Sequence, residues 1–204
     1  VARLSKDADA FVVGTELDRT VHHEQEWRTI IKAVRREFDG PVTYAANWDS
    51  YKDIEFWDAL DVIGIQAYFP LIKHDGIPTT DELERGWARI MENLTAFADK
   101  HERRILFAEL GYNRSKDAAR RPWSYREGGK NAELVQKRCL DAALQAVKDS
   151  DDVVGAFLWK WFPGERQYSN FTKSTPAMRA VIRRHWSNTR HLDLTSDDRN
   201  QPAD

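Results

Sequence analysis

Two glutamates end short apolar segments, and this position makes them the first candidates for chemistry. Glu16 closes the segment FVVGTE, and Glu109 closes the segment RILFAE. If both segments are buried strands, the two carboxylates lie at strand ends, partly out of water, and can face one gap. Retaining glycoside hydrolysis uses such a pair about 5–5.5 Å apart: one carboxyl group protonates the leaving oxygen and the other attacks the anomeric carbon. A neighbouring negative charge raises the pKa of the proton donor and keeps it protonated near neutral pH.

Each glutamate taken alone has a simpler explanation, which is an ion pair with Arg or Lys at the rim of a sheet. The presence of both glutamates, together with aromatic residues near other predicted strand ends, favours the catalytic interpretation. Three of these aromatic residues are Trp48, Trp159 and Trp161. Indole rings offer flat faces on which sugar rings can stack, although tryptophan also fills hydrophobic cores.

The elements that must position these residues follow from the hydrophobic pattern, which alternates between short continuous apolar runs and segments with helical spacing. The apolar runs predict strands at residues 11–17, 42–48, 61–71, 104–112 and 153–163. The helical spacing predicts helices at residues 23–37, 53–60, 81–101, 130–149 and 175–187, with Thr80 as the N-cap of the third helix. Buried strands that alternate with amphipathic helices imply a parallel α/β sheet.

Both a barrel and a doubly wound sheet fit this alternation. Polar and aromatic residues gather at the predicted carboxyl ends of the strands, where barrel active sites are built, and we therefore predict a (β/α)8 TIM barrel. Such a barrel usually needs about 250 residues, so five βα units and a start at Val1 predict only strands four to eight, with the N-terminal units missing. Residues 1–187 are the expected barrel part, and residues 188–204 an expected polar, disordered tail.

Composition and motifs narrow the classes of function. The chain has 204 residues, a net charge of −2 and a pI near 6.3, which gives no support to a nucleic-acid partner. No G-x-G-x-x-G, P-loop or G-x-S-x-G motif occurs, which removes the usual dinucleotide, NTP and serine-hydrolase interpretations. Cys139 is the single cysteine, and its apolar helical surroundings predict a buried thiol.

Membrane and metal interpretations also lack support in the sequence. No apolar run reaches the length of a membrane span. His22 and His23 are adjacent and point apart on a helix, so they match no metal-binding motif. We therefore predict no membrane span, no metal and no cofactor. The compartment and the oligomeric state stay open.

Four segments resemble glycoside hydrolase family 113, which belongs to the clan of retaining (β/α)8 hydrolases: GTELDRT, IGIQAYFPL, LFAELGY and FLWKWFP. The resemblance covers nearly all of residues 1–187. That clan carries its acid/base at the end of strand four and its nucleophile at the end of strand seven, which implies Glu16 as acid/base and Glu109 as nucleophile. Characterised members of the family are chiefly endo-β-1,4-mannanases. The resemblance therefore implies a β-mannan or glucomannan substrate.

The resemblance also suggests roles for other residues. Tyr68 resembles the clan tyrosine that hydrogen-bonds and orients the nucleophile. Trp159 resembles the tryptophan platform under the sugar at the cleavage point, and Trp161, which has the same orientation by a period of two, is its alternative. Asn47 and Trp48 are expected to contact the neighbouring sugar.

Further positions depart from the clan pattern or lie beside it. Thr15 stands where many clan members have the Asn that binds the sugar 2-hydroxyl, and its hydroxyl is expected to make a weaker version of that contact. Tyr112 and Asn113 follow Glu109 and are predicted to line the cleft.

Two other functions stay open at this stage. A β-glucanase or another β-glycosidase of the same clan would use the same two glutamates, because loops set the sugar specificity. A non-catalytic carbohydrate-binding barrel fragment is the alternative from a different class. It is favoured by the unpaired sheet edges that a five-strand piece would carry.

Overall fold

The structure is a computed structural model that describes residues 1–126, 128–162 and 170–187. The predicted tail at 188–204 lies outside the described residues. The strands are β1 (Phe11–Thr15), β2 (Val42–Asn47), β3 (Val62–Gln66), β4 (Ile105–Leu110) and β5 (Val153–Leu158). The α-helices are α1 (Glu24–Val34), α2 (Thr80–His101), α3 (Ala132–Lys148) and α4 (Pro176–Trp186). Short 3-10 turns occupy Ala2–Ser5, Tyr51–Asp53 and Trp57–Ala59.

The five strands form one parallel sheet in the order β1-β2-β3-β4-β5. Each strand pairs with its neighbour in sequence, and the order never reverses. A doubly wound sheet reverses its strand order at a switch point, whereas a barrel adds each strand on the same side. The topology therefore confirms the prediction of a partial (β/α)8 barrel over its doubly wound alternative.

The connection from β2 to β3 differs from the prediction. The expected helix at 53–60 is replaced by the two 3-10 turns, because Ile54 between them adopts extended backbone (ψ 117°). The buried Tyr51 and Trp57 hold the turns together, since the Trp57 Nε1–H donates a 2.9 Å hydrogen bond to the Tyr51 carbonyl oxygen. Side-chain burial thus fixes this segment where helical spacing suggested a helix.

The N-cap of α2 is one residue earlier than predicted. The Thr79 side chain accepts a hydrogen bond from the Glu82 backbone N–H, and the Glu82 side chain accepts one from the Thr79 backbone N–H. This reciprocal capping box satisfies two backbone donors at once. Thr79 is therefore the N-cap, and Thr80 is the first residue of the helix.

The strands are also shorter at their carboxyl ends than the sequence predicted. β3, β4 and β5 stop at Gln66, Leu110 and Leu158, where the apolar runs had extended several residues further. The residues beyond these points leave the sheet and form the loops at its carboxyl edge. Tyr68 and Trp159, which the sequence placed on strands, therefore occupy loops with their own geometry.

The two faces of the sheet bury different residues. Ile63, Ile105 and Val153 pack with the helices in the main core, whereas Val62, Leu106 and Val154 form a small cluster on the opposite face. Alternation along each strand produces this division. Helix α3 presents Cys139 to the main core with no exposure, which confirms the predicted buried thiol. Among the described residues, no helix is both long and apolar enough to cross a bilayer.

Candidate active site

A cleft of about 580 Å³ opens at the carboxyl edge of the sheet. This is the edge at which barrel enzymes place their chemistry. All five strands contribute residues to it, either from their last positions or from the loops that follow. Its lining residues are Thr15, Glu16, Asp18, Asn47, Trp48, Asp49, Gln66, Tyr68, Glu109, Trp123, Tyr125, Trp159 and Phe171.

Glu16 is the first residue after β1, and its backbone has a left-handed φ of 52°. Two hydrogen bonds hold this turn against β2. The Glu16 N–H donates to the Ala45 carbonyl oxygen at 3.0 Å, and the Leu17 N–H donates to the Tyr44 hydroxyl oxygen at 2.8 Å. A left-handed conformation costs a non-glycine residue about 1–2 kcal/mol, and such outliers cluster at functional sites. Here it turns the carboxylate out of the sheet and into the cleft.

The pKa of Glu16 lies above its ordinary value. Partial burial is the largest cause, followed by the negative charge of Glu109 and then by the charges of Asp18 and Asp49. Both glutamates line this cleft, so the charge of Glu109 acts on Glu16 across it. A carboxyl group with a raised pKa holds its proton to higher pH, which suits a proton donor.

Glu109 is the next-to-last residue of β4, and its carboxylate is held by a residue of the loop that follows β3. The Tyr68 hydroxyl donates a 2.5 Å hydrogen bond to Glu109 Oε2. The Glu109 carbonyl oxygen also accepts a 2.7 Å bond from the Ala67 N–H, so backbone and side chain are tied to the same segment. Burial and the bond to Glu109 both raise the pKa of Tyr68. The raised pKa keeps the tyrosine protonated as a hydroxyl donor to Glu109.

Gln66 lies between these elements and was not assigned a role from the sequence. It ends β3, in register with Asn47 on β2 and with Glu109 on β4, and only 1% of it is exposed. Its Oε1 atom is buried and has no hydrogen-bond partner within the described residues. A register shift between Ile65 and Gln66 brings Gln66 opposite Glu109. The sequence does show a glutamine at the end of an apolar strand. It does not show that this glutamine lies beside Glu109.

A cluster of polar side chains borders the cleft next to the end of β2. The Asn47 Nδ2–H donates to Asp18 Oδ2 at 2.6 Å, and the Ser50 hydroxyl donates to Asp18 Oδ1 at 2.9 Å. These bonds fix the loop after β1 to the end of β2. They also leave Asp18 and Asp49 as acceptors on the cleft wall, close enough to influence Glu16.

Aromatic rings from four loops complete the wall. Trp48 stacks on Trp123 with ring centroids 5.2 Å apart and planes 21° from parallel. Phe171 meets Tyr68 edge-on at 6.1 Å and Tyr125 at 5.5 Å. Trp123 and Tyr125 belong to the connection between β4 and α3. The sequence predicted no element for this connection, although its two large aromatic residues were a usable signal.

Phe171 is held in place by a buried lysine. The Lys173 ammonium donates hydrogen bonds to the Phe171 carbonyl oxygen at 3.0 Å and to the Tyr112 carbonyl oxygen at 3.1 Å. Full burial lowers the pKa of Lys173 to about 7. The lysine thereby joins the loop that carries Phe171 to the segment that follows β4.

Seven of the ten residues predicted from sequence line this one cleft: Thr15, Glu16, Asn47, Trp48, Tyr68, Glu109 and Trp159. Trp159 reaches its position because Gly111 has no side chain. A Cβ atom at Gly111 would collide with the Trp159 carbonyl oxygen and touch its Cβ at 3.2 Å. The close approach of the two loops therefore requires glycine at position 111.

The other three predicted residues lie elsewhere. Tyr112 has no exposed surface and packs in the core beneath the cleft, because the chain turns inward after β4. Trp161 is 52% exposed and lies off the cleft lining, because β5 ends at Leu158 and the period of two stops there. Asn113 is likewise buried, and its side chain bonds Ser115 and the Arg121 carbonyl oxygen instead of lining the cleft. The structure therefore places these three residues off the lining of the cleft.

Among the described residues, no group of three or more His, Cys, Asp or Glu side chains is arranged to hold a metal ion. The cleft holds two carboxylates from separate parts of the sheet, among aromatic rings and amide groups. One carboxylate has a raised pKa, and the other accepts a hydrogen bond from a tyrosine. At the carboxyl edge of a parallel barrel sheet, this set defines a barrel with a cleft suited to carbohydrate.

Comparison with known proteins identifies the family. The sequence profile of glycoside hydrolase family 113 matches residues 1–176. The chain therefore belongs to glycoside hydrolase family 113. A search of curated proteins found no match.

Solved structures agree with this assignment. The complex structure of a family 113 β-1,4-mannanase matches with a TM-score of 0.77 and 23% identity, over 92% of this chain and 59% of that chain. The family 113 β-mannanase of Alicyclobacillus acidocaldarius in complex with ManMIm matches with a TM-score of 0.75 and 30% identity, over 91% and 58%. The chain thus spans about three-fifths of the length of these relatives.

A more distant match shares the fold alone. The β-glucuronidase of Bifidobacterium dentium complexed with coumarin-3-O-glucuronide matches with a TM-score of 0.62 and 14% identity, over 91% of this chain and 31% of that chain.

Proposed function

We propose that this protein is a retaining glycoside hydrolase that cleaves β-1,4-mannosidic bonds in mannan or glucomannan. Glu109 is the nucleophile, and Glu16 is the acid/base. The single observation that carries the proposal is the shared cleft of these two carboxylates, with different partners on each. Support for the sugar comes from the β-mannanases among the matched structures.

The first half of the reaction forms a covalent intermediate. Glu109 attacks the anomeric carbon while Glu16 gives its proton to the departing glycosidic oxygen. The raised pKa of Glu16 keeps that proton available. The Tyr68 hydroxyl fixes the direction of the Glu109 carboxylate, so that its free oxygen points at the sugar.

The second half releases the sugar. With the leaving group gone, the Glu16 carboxylate takes a proton from a water molecule, and the resulting hydroxide attacks the anomeric carbon. The Glu109–sugar bond breaks, and Glu109 returns to a carboxylate. Two inversions at one carbon give net retention.

A polysaccharide panel with a stereochemical readout tests the proposal. The protein, expressed from its complete reading frame, is given β-mannan, glucomannan and β-glucan, and proton NMR follows the first product anomer. We expect hydrolysis of mannan and glucomannan with initial release of the β-anomer. Hydrolysis of β-glucan alone would replace the sugar assignment, and initial α-anomer would rule out the double displacement.

Turnover separates this enzyme from a carbohydrate-binding module. A module of that kind would use the same aromatic walls of the cleft without the reaction. A protein that binds manno-oligosaccharides in calorimetry but releases no reducing ends would be a module. We expect both binding and release.

A further inference from the structure

Phe171 has a backbone conformation that is unfavourable for a bulky side chain. Its φ of 61° lies in the left-handed region, where a residue of this size is an outlier. Such a conformation persists where the surrounding contacts over-determine it. The Phe171 ring is buried and meets Tyr68 edge-on, and Tyr68 donates its hydroxyl hydrogen bond to Glu109. The strained residue therefore lies one contact away from the bond that holds the Glu109 carboxylate.

Hydrogen bonds fix the Phe171 backbone from both sides. Its N–H donates to the Asn170 Oδ1 atom at 3.0 Å, and that atom also accepts a bond from the Arg114 N–H at 2.9 Å. Its carbonyl oxygen accepts bonds from the Lys160 N–H at 2.9 Å and from the Lys173 ammonium at 3.0 Å. Phe171 is therefore tied both to the segment after β4 and to the segment after β5.

The Lys173 ammonium adds a bridge between two distant segments. Besides the Phe171 carbonyl oxygen it bonds the Tyr112 carbonyl oxygen at 3.1 Å, and it lies 5.9 Å from the centre of the Phe171 ring. Tyr112 follows Glu109 closely on the same segment. Contacts therefore lead from Glu109 through two aromatic rings to Lys173, and from Lys173 back to the segment that carries Glu109.

Neither carbonyl oxygen depends on Lys173 for a donor. The Lys160 N–H already bonds the Phe171 oxygen, and the buried Gln136 side chain donates to the Tyr112 oxygen at 2.8 Å. Burial of an ammonium group costs free energy, and Lys173 has no exposed surface. Satisfying the backbone therefore does not account for the lysine. The feature that it adds is the bridge between the two segments.

We propose that Lys173 is a positioning residue for the nucleophile. Its ammonium holds the Phe171 ring against Tyr68, and this ring keeps the tyrosine hydroxyl on the Glu109 carboxylate. The inference rests on the proposed function, because it takes Glu109 to be the attacking group. Lys173 does not line the cleft, so it acts on kcat and only through the tyrosine.

A double-mutant cycle tests this route in the protein expressed from its complete reading frame. Lys173→Met keeps the length of the side chain and removes the ammonium. A small displacement of a reacting group costs up to about 100-fold in rate, so we expect kcat on β-1,4-mannohexaose to fall about tenfold, with KM changed less than about twofold. In the Tyr68→Phe background the same substitution should lower kcat less than about twofold, because the hydroxyl bond is already gone. Equal losses in the two backgrounds would overturn the inference.

Gln136→Met is the matched control, because it removes another buried donor to the Tyr112 oxygen and leaves both bonds of Lys173 in place. Its kcat should stay within about twofold of wild type. A tenfold loss in this control as well would overturn the inference, because it would assign the effect to the Tyr112 carbonyl oxygen.

Thermal unfolding separates positioning from stability. Lys173→Met leaves each carbonyl oxygen with a donor and removes a buried charge, so its Tm should equal or exceed that of wild type. Lys173→Gln keeps a shorter donor, should give an intermediate kcat, and replaces Lys173→Met in the cycle if the methionine variant does not fold. Loss of the fold in both variants would make Lys173 a requirement of folding and overturn the inference.

Proton NMR separates this inference from the proposed reaction. The Tyr68 hydroxyl proton, in its 2.5 Å bond to the carboxylate, should give a downfield resonance that disappears in Tyr68→Phe. We expect this resonance to shift or broaden in Lys173→Met and to stay in place in Gln136→Met. If wild type shows no hydrolysis but the resonance responds in this way, the reaction is wrong and the positioning contact stands. If hydrolysis holds and Lys173→Met leaves the resonance unchanged, the positioning role is wrong.

Discussion

The loop after β1 and the end of β4 each present one glutamate to the cleft, but their surroundings differ. Glu16 stands on a strained turn, more exposed than Glu109, near the negative charges of Asp18 and Asp49. Glu109 is inside a strand and receives the Tyr68 hydroxyl. The first environment favours the protonated carboxyl group, and the second orients a carboxylate. One side-chain type thus serves two roles because its neighbours differ.

The largest effect on activity is expected when each glutamate is replaced by glutamine. Glu109→Gln removes the attacking group and should lower kcat at least about 10⁴-fold on every substrate. Glu16→Gln removes the proton donor and should cost about 10²–10⁴-fold on mannan. Because a nitrophenolate leaves without a proton, the loss from Glu16→Gln should be much smaller for formation of the covalent intermediate from nitrophenyl β-mannoside.

Pre-steady-state bursts of nitrophenol measure that step. A burst that survives in Glu16→Gln and vanishes in Glu109→Gln supports the assignment. The reverse pattern would exchange the two roles.

A smaller effect comes from the hydrogen bond that distinguishes Glu109. Tyr68→Phe removes the hydroxyl and leaves the ring packed against Phe171. A hydrogen bond to a charged group contributes about 1.5–3 kcal/mol, so we expect kcat to fall about 10- to 100-fold. Circular dichroism should show an unchanged fold. A variant with wild-type kcat would mean that the bond does not position the nucleophile.

The acidic neighbours of Glu16 should set the alkaline limit of activity. Activity falls as pH rises through the pKa of Glu16, because the donor loses its proton. Asp49→Asn removes one negative charge that raises this pKa, so the alkaline limb of kcat against pH should move to lower pH. Added salt should shrink the difference, because Asp49 is exposed and its charge is screened.

Asp53→Asn is the matched control for that experiment. Asp53 is also exposed and follows the same strand, but it is not among the charges that act on Glu16. Its pH profile should superimpose on wild type. Equal shifts in the two variants would point to overall net charge and not to the local field.

The smallest expected effect is on stability. A carboxyl group whose pKa is raised by folding stabilises the native state while it is protonated, and this contribution is lost as pH rises through the raised pKa. Glu16→Gln cannot ionise, so its Tm relative to wild type should increase as pH is raised from about 4 to 7. Thermal unfolding at several pH values measures this difference. A difference that stays constant with pH would show that folding leaves the pKa of Glu16 unchanged.

The periodicity of the sequence determined the layout of the fold. Strands and helices were predictable because a buried parallel strand and an amphipathic helix carry different spacings of apolar residues, and these spacings are local. The same property placed Glu16 and Glu109 at strand ends. It failed between β2 and β3, where burial of Tyr51 and Trp57 outweighed helical spacing.

Only the tertiary structure decided which side chains meet. Trp48 and Trp123 are far apart in the chain, and the path of the loop after β4 alone brings them into a stack. The same loop geometry buries Tyr112, while the early end of β5 leaves Trp161 off the cleft. Loops follow no period, and their conformations depend on contacts with distant parts of the chain. The sequence therefore indicated the two carboxylates, and the tertiary structure determined which side chains surround them.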